Sequence, residues 1–101
     1  MSYRLVVRPG AKRDILAVAR WYETQRAGLG HELVAEIDAT MTRIAQNPSQ
    51  YRVVYRGARR AIVRRFPYGV FFGIEHEDVV VLCVIHLHRD PGEWKKRVGG
   101  E

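Results

Sequence analysis

VVVLCVIHL, residues 79–87, is a run of nine residues without a formal charge and rich in β-branched side chains. Such a run reads as a strand covered on both faces, and therefore as an inner strand of a sheet. It is far too short to span a bilayer. The run gives way to His88, Arg89, Asp90 and Pro91. Pro91 has no amide donor and ends the strand, while Asp90 can cap the turn that follows.

The rest of the fold is read outward from this strand. Glu77-Asp78 supplies a tight turn, and before it Val70, Phe72 and Ile74 alternate through a second strand. Pro67-Tyr68-Gly69 reads as another turn. Upstream of it Ile62, Arg64 and Phe66 alternate with Ala61, Val63 and Arg65, which is a third strand. Turns this short join strands antiparallel.

Nearer the amino terminus the period lengthens. Ile15, Val18, Ala19 and Tyr22 fall at i, i+3, i+4 and i+7 of an amphipathic helix. Gly28 and Gly30 interrupt the pattern. Leu33, Ile37, Met41 and Ile44 then carry a second apolar stripe that Asn47-Pro48 ends. Trp21 and Tyr22, being adjacent on a helix, cannot both face the core. A short strand from Tyr3 to Val7, stopped by Pro9-Gly10, opens the chain. The expected architecture is α+β, in the order β-α-α-β-β-β, with a helical hairpin packed on an antiparallel sheet. One domain spans residues 1–101.

The chain carries 17 Lys and Arg against 11 Asp and Glu, a net charge of +6. An excess of that sign favours acidic partners such as nucleic acid, a nucleoprotein machine or an acidic protein. It is concentrated between Tyr51 and Ile74, where six arginines (52, 56, 59, 60, 64 and 65) stand without a carboxylate. The one cysteine, Cys83, lies inside the apolar run and reads as a packed, inert thiol. MSYRLVVRPGAKR at the amino terminus lacks the apolar stretch of a secretory leader. A soluble cytoplasmic protein is expected, with no membrane partner.

Chemistry-bearing residues are few. His86 and His88 are two apart, so on a continuing strand both side chains share a face. A metal site there needs a further ligand, for which only Glu75 and His76 lie on a neighbouring strand, so no metal or cofactor is expected. Ser2 and Ser49 lack a nucleophile context, and no glycine-rich phosphate loop follows a strand. Acid–base cleavage of RNA requires a proton acceptor, a donor and cations around the phosphorane charge. Histidines and arginines of the second half supply those types, but their spacing does not establish convergence. Trp94 either covers one end of the core or anchors a partner.

Taken together, several stretches resemble the RelE/ParE superfamily of bacterial type II toxins. They are the opening strand followed by Pro9 and Ala11, Asp14-Ile15, Asn47-Pro48, RRFPYGVFF at residues 64–72, and the ending H-x-H-R-D-P with Trp94 and Arg97. The resemblance spans nearly the whole chain and implies a RelE/ParE-like fold and a cognate antitoxin, in a hetero-oligomeric complex. The superfamily divides by target: one branch is similar to ribosome-dependent messenger-RNA endonucleases, the other inhibits DNA gyrase. Gly69 stands where the nuclease branch carries an arginine, and Trp94 near where it carries a tyrosine. The forms F-P-Y-G and H-R-D-P look more like the ParE branch and the related plasmid stabilisation proteins.

The resemblance thus implies inhibitory binding to gyrase without chemistry by this chain. Arg59, Arg64, Arg65, His88, Arg89, Trp94, Lys95 and Arg97 are the expected partner-binding residues. The alternative is a nuclease acting at the ribosome on mRNA, with Arg64, Arg65 and Arg89 as cations and His86 or His88 as acid or base. A non-toxic member that serves only as the antitoxin's binding partner is the third reading.

Overall fold

In the computed structural model, which describes residues 2–99, the apolar run becomes strand β5 (Asp78–His86). The other elements are β1 (Arg4–Val7), α1 (Pro9–Gln25), α2 (Leu29–Gln46), a 3-10 turn (Pro48–Gln50), β2 (Val53–Tyr55), β3 (Ala58–Ile62), β4 (Tyr68–Glu75) and α3 (Pro91–Val98). The five strands form one sheet in the order β1-β5-β4-β3-β2. β5 therefore lies inside it, as its composition requires.

The sheet differs from the expected one in three respects. First, it is mixed: β1 runs parallel to β5, with Leu5 opposite Val79 and Val7 opposite Val81. Short turns fix the antiparallel directions of β2 to β5, but β1 reaches the sheet through two helices and no turn dictates its direction. Second, an additional strand, β2, precedes β3. The two are joined by Arg56-Gly57, with φ of 49° and 80°, a turn with both central residues left-handed that suits the twist of a hairpin. Third, residues 64–67 leave the sheet, so the strand expected to run through Phe66 ends at Ile62. Arg65 has φ 71°, and its guanidinium reaches Glu32 at 2.7 Å and Glu36 at 3.6 Å on α2. Tyr68, expected in a turn, already belongs to β4.

The helical hairpin covers one face. Leu33, Ile37, Met41 and Ile44 are buried against Val70, Phe72, Val79, Val81 and Val84, and Ile15, Val18, Ala19 and Tyr22 complete the layer. At the hairpin corner a Cβ on Gly30 would stand 2.5 Å from the carbonyl oxygen of Ala19, so only glycine permits this approach. The Glu23 carboxylate accepts the N–H groups of Gly28 (2.8 Å) and Gly30 (3.0 Å). Those two bonds hold its pKa below the ordinary value.

The second face is covered by α3, an element not expected from the sequence. Asp90 accepts the Gly92 N–H at 2.8 Å, Pro91 opens the helix, and Lys95, Lys96 and Arg97 fill its last turn. Trp94 and Val98 pack with Val54 on Phe71, Cys83 and Ile85. A β-bulge shifts the alternation of side chains between the two layers. Phe71 faces Cys83 and Phe72 faces Val81, leaving Leu82 as an extra residue. Val79, Val81 and Val84 consequently serve the hairpin core, while Cys83 and Ile85 serve the α3 layer.

Candidate partner-binding cleft

At the end of β4 and β5, where the sheet stops, α1 and α3 approach from opposite sides and leave a cleft. Its inner part, about 500 Å³, is lined by residues that include Asp14, Tyr68, His86, Arg89, Lys96 and Arg97. Its outer part, about 440 Å³, shares Ala17, Val18, Tyr68, His86 and Arg89 and adds Trp21 and Tyr22. Helix α3 turns Trp94 and Val98 to the sheet, which leaves Glu93, Lys96 and Arg97 on the cleft side by the ordinary three-to-four spacing.

Asp14 holds these walls together. Its carboxylate accepts the backbone N–H of Val84, two residues beyond the bulge, at 3.0 Å. It also receives both terminal nitrogens of Arg97, at 2.9 and 3.3 Å. One side chain of α1 thereby ties β5 to α3. The bidentate bond raises the Arg97 pKa above its ordinary value.

The cleft floor is aromatic. The Tyr68 ring meets Tyr22 at 6.2 Å and His86 at 5.1 Å, and His86 meets His88 at 5.2 Å, all edge to face. The His88 backbone N–H donates to His86 Nδ1 at 3.1 Å, so the proton of a neutral imidazole resides on Nε2. Burial, followed by the neighbouring Tyr22, pushes the Tyr68 pKa upward. A phenol held this way stays protonated and is a donor, not a base. Burial likewise raises the Cys83 thiol to about 12, which removes it from nucleophilic chemistry.

The residues expected at a partner surface, and His86 of the nuclease alternative, are dispersed. His86, Arg89 and Arg97 meet at the cleft. Arg89 pairs with Glu93 at 3.2 Å. His88 is exposed at its edge. Trp94 and Lys95 lie on the other side of α3. The Trp94 ring stacks on Phe71 at 4.9 Å, and the Lys95 ammonium sits 5.4 Å from the Tyr55 ring. Arg59 is bound to the carbonyl oxygens of Ser49 (3.2 Å) and Tyr51 (2.6 Å), and Arg65 to α2. Arg64 is exposed and has no ion pair among the described residues.

His86 and His88 pack ring to ring, while Glu75 and His76 lie at the opposite end of the β4–β5 pair. Among the described residues no three His, Cys, Asp or Glu side chains converge as metal ligands. Gly69 is closely packed against side chains. A Cβ there would stand 3.1 Å from Arg60 Cδ and 3.2 Å from Leu87 Cδ2, so a larger residue requires those side chains to shift by a few tenths of an ångström. Asp14, Lys96 and Tyr68 were not among the expected site residues. Asp14 and Tyr68 lie in stretches that carry the family resemblance, but their partners are on remote elements, so spacing does not show that they converge with Lys96.

A five-stranded mixed sheet with a helical hairpin on one face and a terminal helix on the other is the RelE/ParE-like architecture. The chain belongs to the ParE toxin family: the model of the "ParE toxin of type II toxin-antitoxin system, parDE" matches residues 5–91. No curated protein sequence matches. Among solved structures, the chromosomal ParDE toxin–antitoxin system from P. aeruginosa is similar, with a TM-score of 0.78 at 16% identity over 86% of this chain and 98% of that one. The RelBE2 toxin–antitoxin complex from Mycobacterium tuberculosis is also similar, with a TM-score of 0.62 at 21% identity over 85% and 99%. No helix among the described residues is long and apolar enough to cross a membrane.

Proposed function

We propose that the chain is a cytoplasmic toxin that inhibits DNA gyrase by binding and is neutralised in a hetero-oligomer with a cognate antitoxin. Membership of the ParE family is the observation that carries this reading. Both similar structures come, by their descriptions, from toxin–antitoxin systems, which favours an antitoxin partner. Inhibition without covalent chemistry accords with the state of the side chains. Tyr68 is kept protonated and the Cys83 thiol is buried. The cations of Arg59, Arg65 and Arg97 are engaged within the molecule. Purified toxin in excess should arrest gyrase supercoiling, and co-purified antitoxin should restore it. Unimpeded supercoiling would remove gyrase as the target.

One observation favours the nuclease reading in second place: His86, with Nε2 available, and Arg89 line the same cleft. In that case induction should produce cuts within codons, read by primer extension on messenger RNA. Intact message after growth arrest would eliminate it.

A further inference from the structure

Another cavity, of about 500 Å³, opens where the start of α1 meets α3. Three guanidiniums line it, those of Arg8, Arg13 and Arg97, with Asp14 as the one carboxylate and the bulge residue Leu82 among its walls. A Cβ on Gly10 would stand 3.2 Å from Arg97 Nη2 and 3.8 Å from Arg13 Nη2, so two of the guanidiniums converge over the bare glycine. Asp14 offsets one of the three charges. Both of its oxygens accept from Arg97, and one also accepts the Val84 N–H. Arg8 and Arg13 are exposed and have no ion pair among the described residues. The first turn of α1 holds no carboxylate, and a cation at the opening of a helix is opposed by the helix dipole. Arg8 therefore costs stability where it stands. Three guanidiniums against one carboxylate leave the cavity with an excess of two positive charges.

We propose that this cavity binds a small dianionic phosphate monoester, held between Arg8 and Arg13 on one side and Arg97 of α3 on the other. Near neutral pH such a group carries close to two negative charges on three outward oxygens. It matches the excess charge and offers an acceptor to each guanidinium. Arg97 keeps N–H groups beyond those given to Asp14. A carboxylate brings a single charge on two coplanar oxygens, and two carboxylates in one cavity repel each other. A phosphodiester within a strand likewise carries one charge per phosphate. The site is independent of the toxin's target, since it depends on neither Trp21, His86 nor Arg89. Bound phosphate ties α3 to α1 beside the Asp14 contact, so it should also raise the melting temperature by mass action.

The test is an NMR titration of the full chain with glycerol phosphate at constant ionic strength, with glycerol alone as the control. The expected result is a saturable shift of the Gly10 amide and of the Arg8 and Arg13 side-chain N–H signals. The exposed Arg56, in the β2–β3 turn, should stay unmoved. Arg8→Gln and Arg13→Gln should each weaken binding by about tenfold, and unchanged melting in chloride establishes that both variants are folded. Lowering the pH through the second phosphate ionisation, at about 6, should weaken binding several-fold. The ionisable side chains of the cavity are the three guanidiniums and Asp14, with no histidine, so that change reports on the ligand. A Gly10 signal unmoved at millimolar glycerol phosphate overturns the proposal. An equal shift at Arg56 also overturns it, because it signals general attraction of anions. Equal response to acetate or to an acidic peptide, or a tighter one to an oligonucleotide without terminal phosphates, overturns it in favour of that ligand.

Discussion

Gly30 shows how much a missing methyl group decides. A Cβ 2.5 Å from a carbonyl oxygen cannot be accommodated without separating α1 from α2, since the clash is with backbone. Gly30→Ala should lower stability by roughly 2–3 kcal/mol, measured by urea unfolding. The glycine interruption was legible in the sequence, but its steric reason was not, because Ala19 is remote along the chain. Glu23, at the same corner, makes a pH-dependent contribution. Its native pKa is depressed, so its stabilisation is present above the ordinary glutamate value of about 4.3 and is lost as pH falls through the lower native value. Glu23→Gln should therefore flatten the acid limb of a melting-temperature profile below about pH 4 while the profile near neutrality keeps its shape. A His76→Gly substitution acts oppositely to Gly30→Ala. His76 has φ 58° in the β4–β5 turn, and glycine there should raise stability by about 0.5–1 kcal/mol in the same unfolding assay.

Between elements, Asp14 is the decisive contact, because three of them meet at one carboxylate. Asp14→Ala leaves the Val84 N–H and the Arg97 guanidinium without their partner at once. The cost should be roughly 2–3 kcal/mol, less than for a fully buried pair because Arg97 is 36% exposed. Asp14→Asn keeps an acceptor oxygen for Val84 and should cost about half as much. Hydrogen exchange separates the two: the Val84 amide should exchange faster in the alanine variant and near the parent rate in the asparagine variant. None of this could be read from spacing, since Asp14 and Arg97 are 83 residues apart. The same lack of local signal hid β2. Arg56 occupies a left-handed position in which asparagine or aspartate would have announced a hairpin. Helix α3 was hidden differently. Its cap, Asp90-Pro91, was visible, but eight residues with one aromatic anchor show too little periodicity to distinguish a helix from a tail.

For the molecule as a whole, the excess of basic residues is divided between internal and external use. Arg59, Arg65 and Arg97 are bound within the fold, whereas Arg52, Arg56 and Arg64 are exposed without an ion pair among the described residues. Charges of the second kind act chiefly on encounter with an oppositely charged partner. If the cognate antitoxin is acidic, Arg52→Glu with Arg64→Glu should slow its association several-fold and weaken the salt dependence of that rate, read by stopped-flow mixing. Arg59→Ala should instead show its main effect in thermal unfolding, by freeing the Ser49 and Tyr51 carbonyls.

The sequence by itself determined the class of fold, the two helical stripes, the inner position of β5 and the superfamily resemblance. These depend on periodicity, turn residues and short motifs, all properties of neighbouring residues. Only the tertiary structure decided the parallel placement of β1, the bulge at Leu82 that shifts which β5 residues face each layer, and the meeting of Asp14, Tyr68, His86, Arg89 and Lys96 at one cleft. Direction without a turn, register across a bulge and convergence of distant side chains arise from packing between elements. The ending HLHRDP thus resolves into a cap for α3, His86 in the cleft floor and Arg89 in its rim, divided by where the sheet stops.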